Sequence, residues 1–280
     1  MRIGLLVFCA AALNPAIALA QGADELVALI NAYRSAPQQC EGKRTVPAPA
    51  LAPDAHLKNV QTQSGRLLQD ALKARGYPAA RAFSITVSGP RDASAVMDLM
   101  KRSHCAPLLD AQFSNIGVSR EGSTWRVALA RPVLSAHLGE WRQVGEEVLR
   151  LTNSARAQPR TCGGRRFAAA PPLRWAGELG LAAFVHSRDM ATRNYFDHRA
   201  PDGSHVDARA RREGYIWRRI GENIAAGQGS PQEVMAAWLA SPGHCENIMT
   251  PEFAEMGAAY AINERSEHTI YWTQVFGTRR

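Results

Sequence analysis

Two stretches of this chain, far apart in the sequence, share a His-Cys pair that follows an apolar segment. Residues 238–249 read W-L-A-S-P-G-H-C-E-N-I-M, and residues 99–109 read L-M-K-R-S-H-C-A-P-L-L. A Val-Met pair comes before each stretch, at positions 234–235 and 96–97. Such a recurrence predicts two copies of one unit, and the architecture depends on whether the rest of the two halves also aligns.

The two halves align over a long segment around these pairs. From Asn31 and Asn153 onward the offset is 122 residues (153 − 31), and by Gly76 and Gly214 it is 138 residues (214 − 76). The identical positions in the first segment are Arg34/Arg156, Pro37/Pro159, Cys40/Cys162, Gly42/Gly164, Arg44/Arg166, Pro49/Pro171 and Leu51/Leu173. Matched order and matched cysteines predict a tandem duplication. The second copy has 16 extra residues (138 − 122), which lie between about Leu179 and Gly214.

The N-terminal residues have the composition of a cleavable secretory signal. Arg2 precedes an apolar run at residues 3–13, and Ala18-Leu19-Ala20 places small residues at the −3 and −1 positions before Gln21. The run is too short to span a membrane, and no later stretch approaches ~18 apolar residues without charge. We therefore expect no transmembrane segment, cleavage after Ala20 and a secreted or periplasmic mature chain.

The cysteines that remain after cleavage predict two disulfides. Removal of residues 1–20 takes away Arg2 and Cys9, so the formal charge falls from +8 to +7 (8 − 1). The four remaining cysteines of an exported chain allow three pairings. If each copy folds as a unit, Cys40 pairs with Cys105 and Cys162 with Cys245. Pairing between the copies would require the two copies to fold interdependently.

Helices come first and strands come late in the second half, which predicts an α+β fold. Residues 142–156 and 177–193 have helical patterns, and the second of these ends near Asn194. S-P-Q-E at 230–233 is a capping box, and Ser241-Pro242 is expected to begin a short helix that carries His244. Residues 256–262 and 269–276 alternate as two antiparallel strands. The expected organisation is a signal peptide at 1–20, a degenerate copy at 21–131, a linker at 132–141 and the main domain at 142–280.

Three ionisable residues of the second half are candidates for chemistry. His198, Glu222 and His244 lie on separate predicted segments. Two imidazoles and one carboxylate can hold a divalent metal such as zinc with open coordination positions. They can equally form a proton-transfer set in which Glu222 raises the basicity of a histidine. The H-E-x-x-H and G-x-S-x-G motifs and a Gly-rich phosphate loop are absent, which excludes the enzyme classes that these motifs define.

These residues lie in motifs that resemble the CAP superfamily (SCP/Tpx-1/Ag5/PR-1 domains) in its bacterial secreted form. The motifs run in order over residues 142–277 and read H-S-R-D-M-A, N-Y-F-D-H and P-D-G, then G-Y and G-E-N-I-A-A-G, then W-L-A-S-P-G-H-C-E-N-I-M, and finally Y-W-T-Q-V-F-G. The resemblance implies an α-β-α sandwich with a central cleft where divalent metals can sit. It places His198, Glu222 and His244 in that cleft, with His198 and His244 as candidate metal ligands.

The sequence departs from the animal and plant members of that superfamily at one position. Those members carry a second Glu shortly before the later His, whereas residues 237–243 contain no acid and Ser241 stands nearby. A four-residue acid–base or metal set is therefore incomplete. Ser241 is interpreted first as a helix cap, and otherwise as a nucleophile served by His244. Glu222 either lines the cleft or caps backbone amides, and its neighbour Asn223 is a further candidate for the cleft.

The first half lacks most of this set. It keeps His104, but Ser84 stands where the second half has Glu222, and the segment equivalent to the one with His198 is missing. One histidine alone holds no divalent ion and runs no acid–base catalysis. We therefore expect a smaller, degenerate copy of the CAP fold, kept for its disulfide-linked body as a helper or interaction module.

The second half also contains a cluster of five arginines. They are Arg209, Arg211, Arg212, Arg218 and Arg219. One interpretation is a cationic rim that faces anionic lipid or polysaccharide, and the other is a solvated helix face. Few aromatic residues are interleaved with the arginines, so the segment does not indicate a nucleic-acid partner.

Three functions stay open at the level of sequence. The main hypothesis is an exported tandem CAP-domain protein with a cleft for a small-molecule, lipid, envelope-polymer or divalent-metal ligand. The first alternative is a metal-assisted or His/Glu-assisted hydrolase of peptides or envelope material. The second is an adhesion or interaction protein in which both sites are vestigial.

Overall fold

The computed structural model of the chain describes residues 15–61, 66–133 and 138–280. Most of the predicted signal segment, residues 1–14, lies outside these ranges. The first helix begins at Pro15 and runs through Ala20, and cleavage after Ala20 stays a prediction. None of the helices in the described part of the chain combines the length and the apolarity that a membrane span requires.

Helix and strand alternate in each half of the chain. The described helices are α1 (Pro15–Arg34), α2 (Arg66–Ala74), α3 (Ala93–Ser103), α4 (Cys105–Leu109), α5 (Trp141–Arg156), α6 (Gly177–Arg193), α7 (Val206–Arg212), α8 (Pro231–Leu239) and α9 (Pro242–Met249). The described strands are β1 (Gln39–Cys40), β2 (Lys43–Arg44), β3 (Ala52–Pro53), β4 (Ala79–Ser88), β5 (Asn115–Glu121), β6 (Thr124–Pro132), β7 (Arg160–Cys162), β8 (Arg165–Phe167), β9 (Arg174–Trp175), β10 (Trp217–Ala226), β11 (Glu255–Ile262) and β12 (Ile270–Arg279).

The second half is a three-layer α-β-α sandwich, as the resemblance to the CAP superfamily implied. Its sheet has the strand order β10-β12-β11-β9, so β10 is an edge strand. One face of the sheet packs against α5, α8 and α9 through a core that includes Val148, Trp238, Met249 and Trp272. The other face packs against α6 and α7 through residues such as Leu179. The candidate residues of the second half therefore lie around one sheet edge and the helices on both sides of it.

The sheet of the first half has the equivalent strand order. It runs β4-β6-β5-β3, with β4 at the edge. Ser84 of β4 pairs with Ala128, just as Glu222 of β10 pairs with Val275. Both edge strands also carry an irregularity in the same place, between Ala79 and Arg81 and between Trp217 and Arg219. The register therefore places Ser84 at the position of Glu222, as the alignment predicted.

The largest difference between the halves lies where α6 stands in the second half. In the described residues of the first half, a 3-10 turn, Ala55–Leu57, lies at that place. The 17-residue helix α6 and the loop that follows it supply the extra residues of the second half. Gly117 and Gly257 lie at equivalent positions, and a Cβ on either would collide with the backbone of this turn or of α6. The approach to the sheet is therefore equally close in both halves.

Both predicted disulfides are present. Cys40 pairs with Cys105, and Cys162 pairs with Cys245. Each bridge ties the short hairpin after the first helix of its half, β1-β2 or β7-β8, to the helix that contains the cysteine of the His-Cys pair, α4 or α9. Closing a loop of 65 or 83 residues contributes roughly 4–5 kcal/mol in the chain-entropy model.

Most of the local predictions in the second half are confirmed, and one strand is new. Ser230 accepts a hydrogen bond from the amide of Glu233 and Pro231 is the first residue of α8, as in a capping box. Helix α6 ends at Arg193, before Asn194 in the left-handed conformation. The G-E-N-I motif, however, lies in the ten-residue strand β10, which the sequence analysis did not predict. Its polar residues concealed the alternation that usually indicates a strand.

The two halves pack against each other. Gln228 donates a hydrogen bond to the carbonyl of Ala50 at 3.0 Å, and Asn31 donates to the carbonyl of Ala240 at 3.3 Å. Ala50 and Ala237 meet in a small apolar cluster between the halves. Strand β6 ends at Pro132 and α5 begins at Trp141, while residues 134–137 lie outside the described ranges. The boundaries 21–131, 132–141 and 142–280 stay predictions.

Candidate functional site

Glu222 is the centre of a buried cluster of charges at the edge of the second sheet. Its side chain is 2% exposed and projects from β10 toward α6 and α7. Oε2 accepts a hydrogen bond from the Arg209 guanidinium at 2.6 Å, and Oε1 lies 2.8 Å from Nδ1 of His198. Both carboxylate oxygens are thus occupied by protein donors.

The cluster keeps Glu222 ionised despite its burial. Burial raises the pKa of Glu222, but the hydrogen bond from His198 and the positive charge of Arg209 outweigh it. The pKa of the carboxyl therefore lies below its usual range. A carboxylate held in this way has no free proton to donate near neutral pH, and it orients the groups around it.

Arg209 is the partner that the sequence analysis did not single out. It was grouped with four other arginines as a cationic rim or a solvated helix face, but its side chain is 4% exposed. Besides Glu222, its guanidinium donates to the carbonyls of Ser204 at 3.0 Å and His198 at 3.1 Å. Arg209 therefore fixes the loop that carries His198. The remaining four arginines are exposed.

His186 is the third buried residue of the cluster. It lies on α6, its side chain is 0% exposed, and its Nε2 contacts the carbonyl oxygen of Asp197 at 3.0 Å. Burial lowers the pKa of His186 to about 4. The ring is therefore neutral near pH 7, and an N–H at Nε2 donates to the Asp197 carbonyl.

His198 connects this cluster to the solvent. Its side chain is 49% exposed, and its Nδ1 faces Glu222. When Nδ1 carries the proton and donates it to the carboxylate, Nε2 keeps a lone pair. The arrangement presents an oriented imidazole that can accept a hydrogen bond or a proton.

His244 lies on the opposite side of the edge strand, in the first turn of α9. Burial, together with the nearby His198, lowers the pKa of His244 to about 3, so this ring is also neutral near pH 7. Its backbone carbonyl accepts a hydrogen bond from Asn223 at 3.2 Å. Asn223 thereby connects β10 to the start of α9.

Asn223 belongs to a buried polar network. The prediction that Asn223 lines the ligand cleft does not agree with this position. The residue is 0% exposed. It donates to Oε1 of Gln274 at 3.1 Å and accepts from Asn247 at 2.9 Å. Gln274 in turn donates to the hydroxyl of Thr152 at 2.8 Å. The side chain is therefore turned toward the core between the sheet and α5 and α9, where it positions α9.

Ser241 precedes α9 and is buried, but its side chain makes no capping hydrogen bond. The interpretation of Ser241 as a side-chain cap is therefore corrected. Only its backbone carbonyl takes part in the first turn, through the amide of Cys245 at 2.9 Å. Ser241 also lines a cavity at the edge of the sheet.

A cavity of about 570 Å³ lies beside His198, Ser241 and His244. Both halves of the chain form its walls. The second half contributes residues 194–199, Pro201, Ile224, Ser241, His244, Glu267, His268 and Tyr271, and the first half contributes Asn31, Ser35, residues 46–50 and Ala111. Its size falls within the range of small-molecule sites, roughly 300–1,000 Å³, and such sites combine apolar walls with a few placed polar groups.

The side chains at this site do not fit a metal centre. His198 and His244 line the same cavity, but the predicted third ligand, Glu222, uses both oxygens for protein donors. Across the described ranges, no group of three or more His, Cys, Asp and Glu side chains is arranged to hold a metal ion. A catalytic zinc site takes three protein ligands, and two imidazoles fall short of that number.

The sequence contained a signal for one of the two missed residues. His186 is three residues after Ala183 and four before Met190, so it shares the apolar face of α6 with them. A histidine on such a face is buried and needs a partner. Arg209 gave no such signal, because it lies among other arginines in a short helix.

The second half of the chain matches a family model and segments of known proteins. Residues 149–276 match the model of the cysteine-rich secretory protein family, CAP. The protein YkwD of Bacillus subtilis (strain 168) is 41% identical over 106 residues, which cover 38% of this chain and 39% of YkwD. The membrane protein YlbC of the same organism is 30% identical over 86 residues, which cover 30% of this chain and 25% of YlbC. The chain thus spans less than two fifths of either relative.

One solved structure is an extracellular protein containing an SCP domain from Bacillus anthracis str. Ames. It is 22% identical to this chain and superposes with a TM-score of 0.43. The match covers 56% of this chain and 52% of that protein.

Proposed function

We propose, from the match of residues 149–276 to the model of the cysteine-rich secretory protein (CAP) family, that the chain is an exported binding protein. In this proposal it acts at the cell envelope or outside the cell. The CAP domain takes up a small organic ligand with an apolar body in the cavity beside His198 and His244. The first half is a degenerate copy of the same domain.

Export is supported by the N-terminal sequence and by the disulfides. Residues 3–13 form an apolar run, and Ala18 and Ala20 are the small residues of a cleavage site. The cysteines at 40, 105, 162 and 245 are all disulfide-bonded, which is typical of proteins in oxidising compartments.

The tandem arrangement is supported by the equivalent sheets and disulfides. Strand order, register at the edge strand and disulfide positions correspond at the offsets of the sequence alignment. Duplication of one domain explains the shared strand register, strand irregularity and disulfide much more simply than independent origin in two neighbouring segments does.

The observation that carries the proposed function is the composition of the cavity wall. Of the residues that line it, Val46, Pro47, Ala48, Phe196 and Ile224 are apolar, and the imidazoles of His198 and His244 add polar groups. An apolar wall favours a ligand with an apolar body, because burial of apolar surface drives association. The imidazoles of His198 and His244 supply hydrogen bonds for one polar group of such a ligand.

A divalent metal is the weaker candidate for the same cavity. Arg209 neutralises Glu222, so a cation would have to displace an ion pair that is itself buried. Metal binding would therefore have to rest on His198 and His244 alone.

Titration of the full chain with the dye 1-anilinonaphthalene-8-sulfonate tests this function, because the dye fluoresces when an apolar cavity encloses it. We expect saturable binding of one dye per chain, with weaker binding in His198→Ala. The matched control is His205→Ala, since His205 is exposed and does not line the cavity. Zinc calorimetry on the same proteins measures the metal.

Two results would contradict the proposal. The first is an absence of saturable dye binding by the folded wild-type chain. The second is a zinc affinity that depends on both His198 and His244 and exceeds the affinity for any organic probe. Either result would leave the fold unaffected and would reassign the cavity.

A hydrolase is the second candidate, and one geometric feature favours it. The His198–Glu222 pair, with 2.8 Å between Nδ1 and Oε1, orients an imidazole as a general base would be oriented. Ser241 lines the same cavity, which makes it the candidate nucleophile. Turnover of activated esters or peptides that disappears in both His198→Ala and Ser241→Ala would establish this activity. Silent wild-type protein would exclude it for those substrates.

A further inference from the structure

The first half of the chain supplies one wall of the cavity that serves the second half. Residues 46–50, which read Val-Pro-Ala-Pro-Ala and are called the strap below, line the cavity together with Asn31 and Ala111. The strap follows the short hairpin β1-β2 and leads into β3. It therefore belongs to the disulfide-linked body of the degenerate copy.

The strap is held by hydrogen bonds at its middle and at its C-terminal end. The amide of Ala48 donates to the carbonyl of Arg34 at 2.9 Å, and the guanidinium of Arg34 donates back to the carbonyl of Pro49 at 2.8 Å. The carbonyl of Ala50 accepts from Gln228 of the second half at 3.0 Å. Pro47 and Pro49 restrict the backbone further, because each ring fixes its own φ angle. The wall is thus preformed before any ligand arrives.

The strap contacts both halves of the chain, and a loop of the second half lines the cavity beside it. His268, from the loop between β11 and β12, is 5% exposed, lines the cavity and packs edge-on against Phe196. Asn31 accepts a hydrogen bond from the amide of Leu51 at 2.8 Å and donates to the carbonyl of Ala240. These contacts place the strap against the start of α9, where Ser241 and His244 lie.

The second half contains an equivalent segment that lines no part of this cavity. Residues 168–172 correspond to the strap at the offset of 122. The amide of Ala170 donates to the carbonyl of Arg156 at 2.8 Å, just as Ala48 donates to Arg34. Ala48 and Ala170 are both buried, at 6% and 8% exposure. The two segments share their local structure and differ in what they face.

We propose that the strap determines the size of the ligand, so that the binding site is composite and takes a small amphipathic molecule with a single apolar chain or ring system. The inference rests on the proposed binding function. A wall on the first-half side closes the space beside His198 and His244 to extended peptide or glycan chains. The degenerate copy thereby acts in recognition, although it lacks the polar residues of the site.

Graded alkyl carboxylates, from hexanoate to stearate, test the inference by displacing the dye from the full chain. As long as the cavity encloses the alkyl chain, each added methylene should lower the dissociation constant of the carboxylate about fourfold. The gain should stop at the length at which the alkyl chain meets the strap.

The Ala48→Phe variant should move this limit to shorter chains and weaken binding of the longest enclosed chain at least tenfold. Ala170→Phe is the matched control, with the same local geometry in the other half. If Ala48→Phe does not fold, Val46→Asp against Val133→Asp makes the same comparison, because both valines are exposed and only Val46 lines the cavity.

Hydrogen exchange on the wild-type chain gives a second measurement that needs no variant. Saturation with laurate should slow exchange of the Ala48 amide and leave the Ala170 amide unchanged.

The outcomes distinguish the inference from the function on which it rests. If laurate binds but Ala48→Phe and Ala170→Phe give the same length limit, the composite site is wrong and the binding function stands. Equal protection of Ala48 and Ala170 would likewise overturn the composite site alone. If no carboxylate displaces the dye and no dye binds, the binding function itself fails.

Discussion

Arg34 and Arg156 stand at equivalent positions in the two halves and make the same four hydrogen bonds. Arg34 donates to the carbonyls of Pro49, Leu108, Asp110 and Phe113 at 2.6–3.3 Å. Arg156 donates to the carbonyls of Pro171, Ile248, Thr250 and Phe253 at 2.7–3.3 Å. Burial lowers the pKa of Arg34 to about 9 and that of Arg156 to about 10.

The residues of the candidate site differ between the same two halves. Ser84 and Ala71 stand where the second half has Glu222 and Arg209 at the offset of 138. The buried polar network beneath the site also has apolar counterparts, since Ile30, Ile85 and Val127 replace Thr152, Asn223 and Gln274. The comparison teaches that the arginine belongs to the scaffold, while the charge cluster and polar network belong to the site.

The largest effect is expected from the shared arginines. Arg34→Ala and Arg156→Ala each remove four hydrogen bonds to backbone carbonyls, and each should lower the free energy of unfolding by on the order of 5 kcal/mol. Urea denaturation measures both. A large loss for one variant and none for the other would break the equivalence of the two scaffolds.

The next largest effect is expected from the Arg209–Glu222 pair, which only the second half contains. Arg209→Ala leaves the buried carboxylate of Glu222 without its cation and should cost about 4 kcal/mol. Adding Glu222→Ser gives the second half the residues that the first half has at these positions, and it should restore part of the stability while dye binding is lost. If the double variant is no more stable than Arg209→Ala alone, the Arg209–Glu222 pair is not what distinguishes the two halves.

Acid should weaken the second half first, because its three buried imidazoles, those of His186, His244 and His268, have lowered pKa values. Between pH 6.5 and about 4 the unfolded chain binds protons that the folded chain does not, so stability falls as the pH falls. The lowered pKa of His186 contributes at most about 3 kcal/mol to this loss of stability.

The carboxylate adds to this loss at lower pH. The lowered pKa of Glu222 contributes stability above the ordinary value of 4.5, and that contribution disappears as the pH falls through the lowered value. Denaturation between pH 7 and 4 should show a smaller slope in His186→Asn. His104→Asn in the first half is the matched control, and an equal change in both variants would contradict the assignment of the slope to the second half.

The smallest effect is expected from the polar network. Gln274→Val removes the acceptor of Asn223 and the donor to Thr152, which should cost about 2 kcal/mol. Replacing Thr152, Asn223 and Gln274 together by the Ile, Ile and Val of the first half should recover most of this loss. The triple variant should still bind the dye more weakly, because Asn223 no longer holds the carbonyl of His244. Unchanged dye binding would show that the network is structural only.

Features set by neighbouring residues could be predicted from the sequence. The capping box at Ser230, the end of α6 before Asn194 and the disulfide pairs follow from short patterns or from the repeat. The site was predicted in part, since His198, Glu222 and His244 do surround one sheet edge.

Features set by packing between distant segments could not be predicted. Arg209 is buried only because α7 packs over β10, and nothing within the short helix indicates this. The wall formed by residues 46–50 depends on how two halves of the chain dock, and the sequence pattern of either half contains no record of that contact.

Photo-crosslinking with a laurate analogue that carries a diazirine at the end of its alkyl chain tests the central claim most directly. The reagent reacts with whatever surrounds the bound chain, and peptide mapping of the full-length protein locates the products. We expect labels on both the strap at 46–50 and the segment 194–201 from a single saturable site. Labels confined to one half, or equal labelling of residues 168–172, would contradict a cavity shared by the two halves.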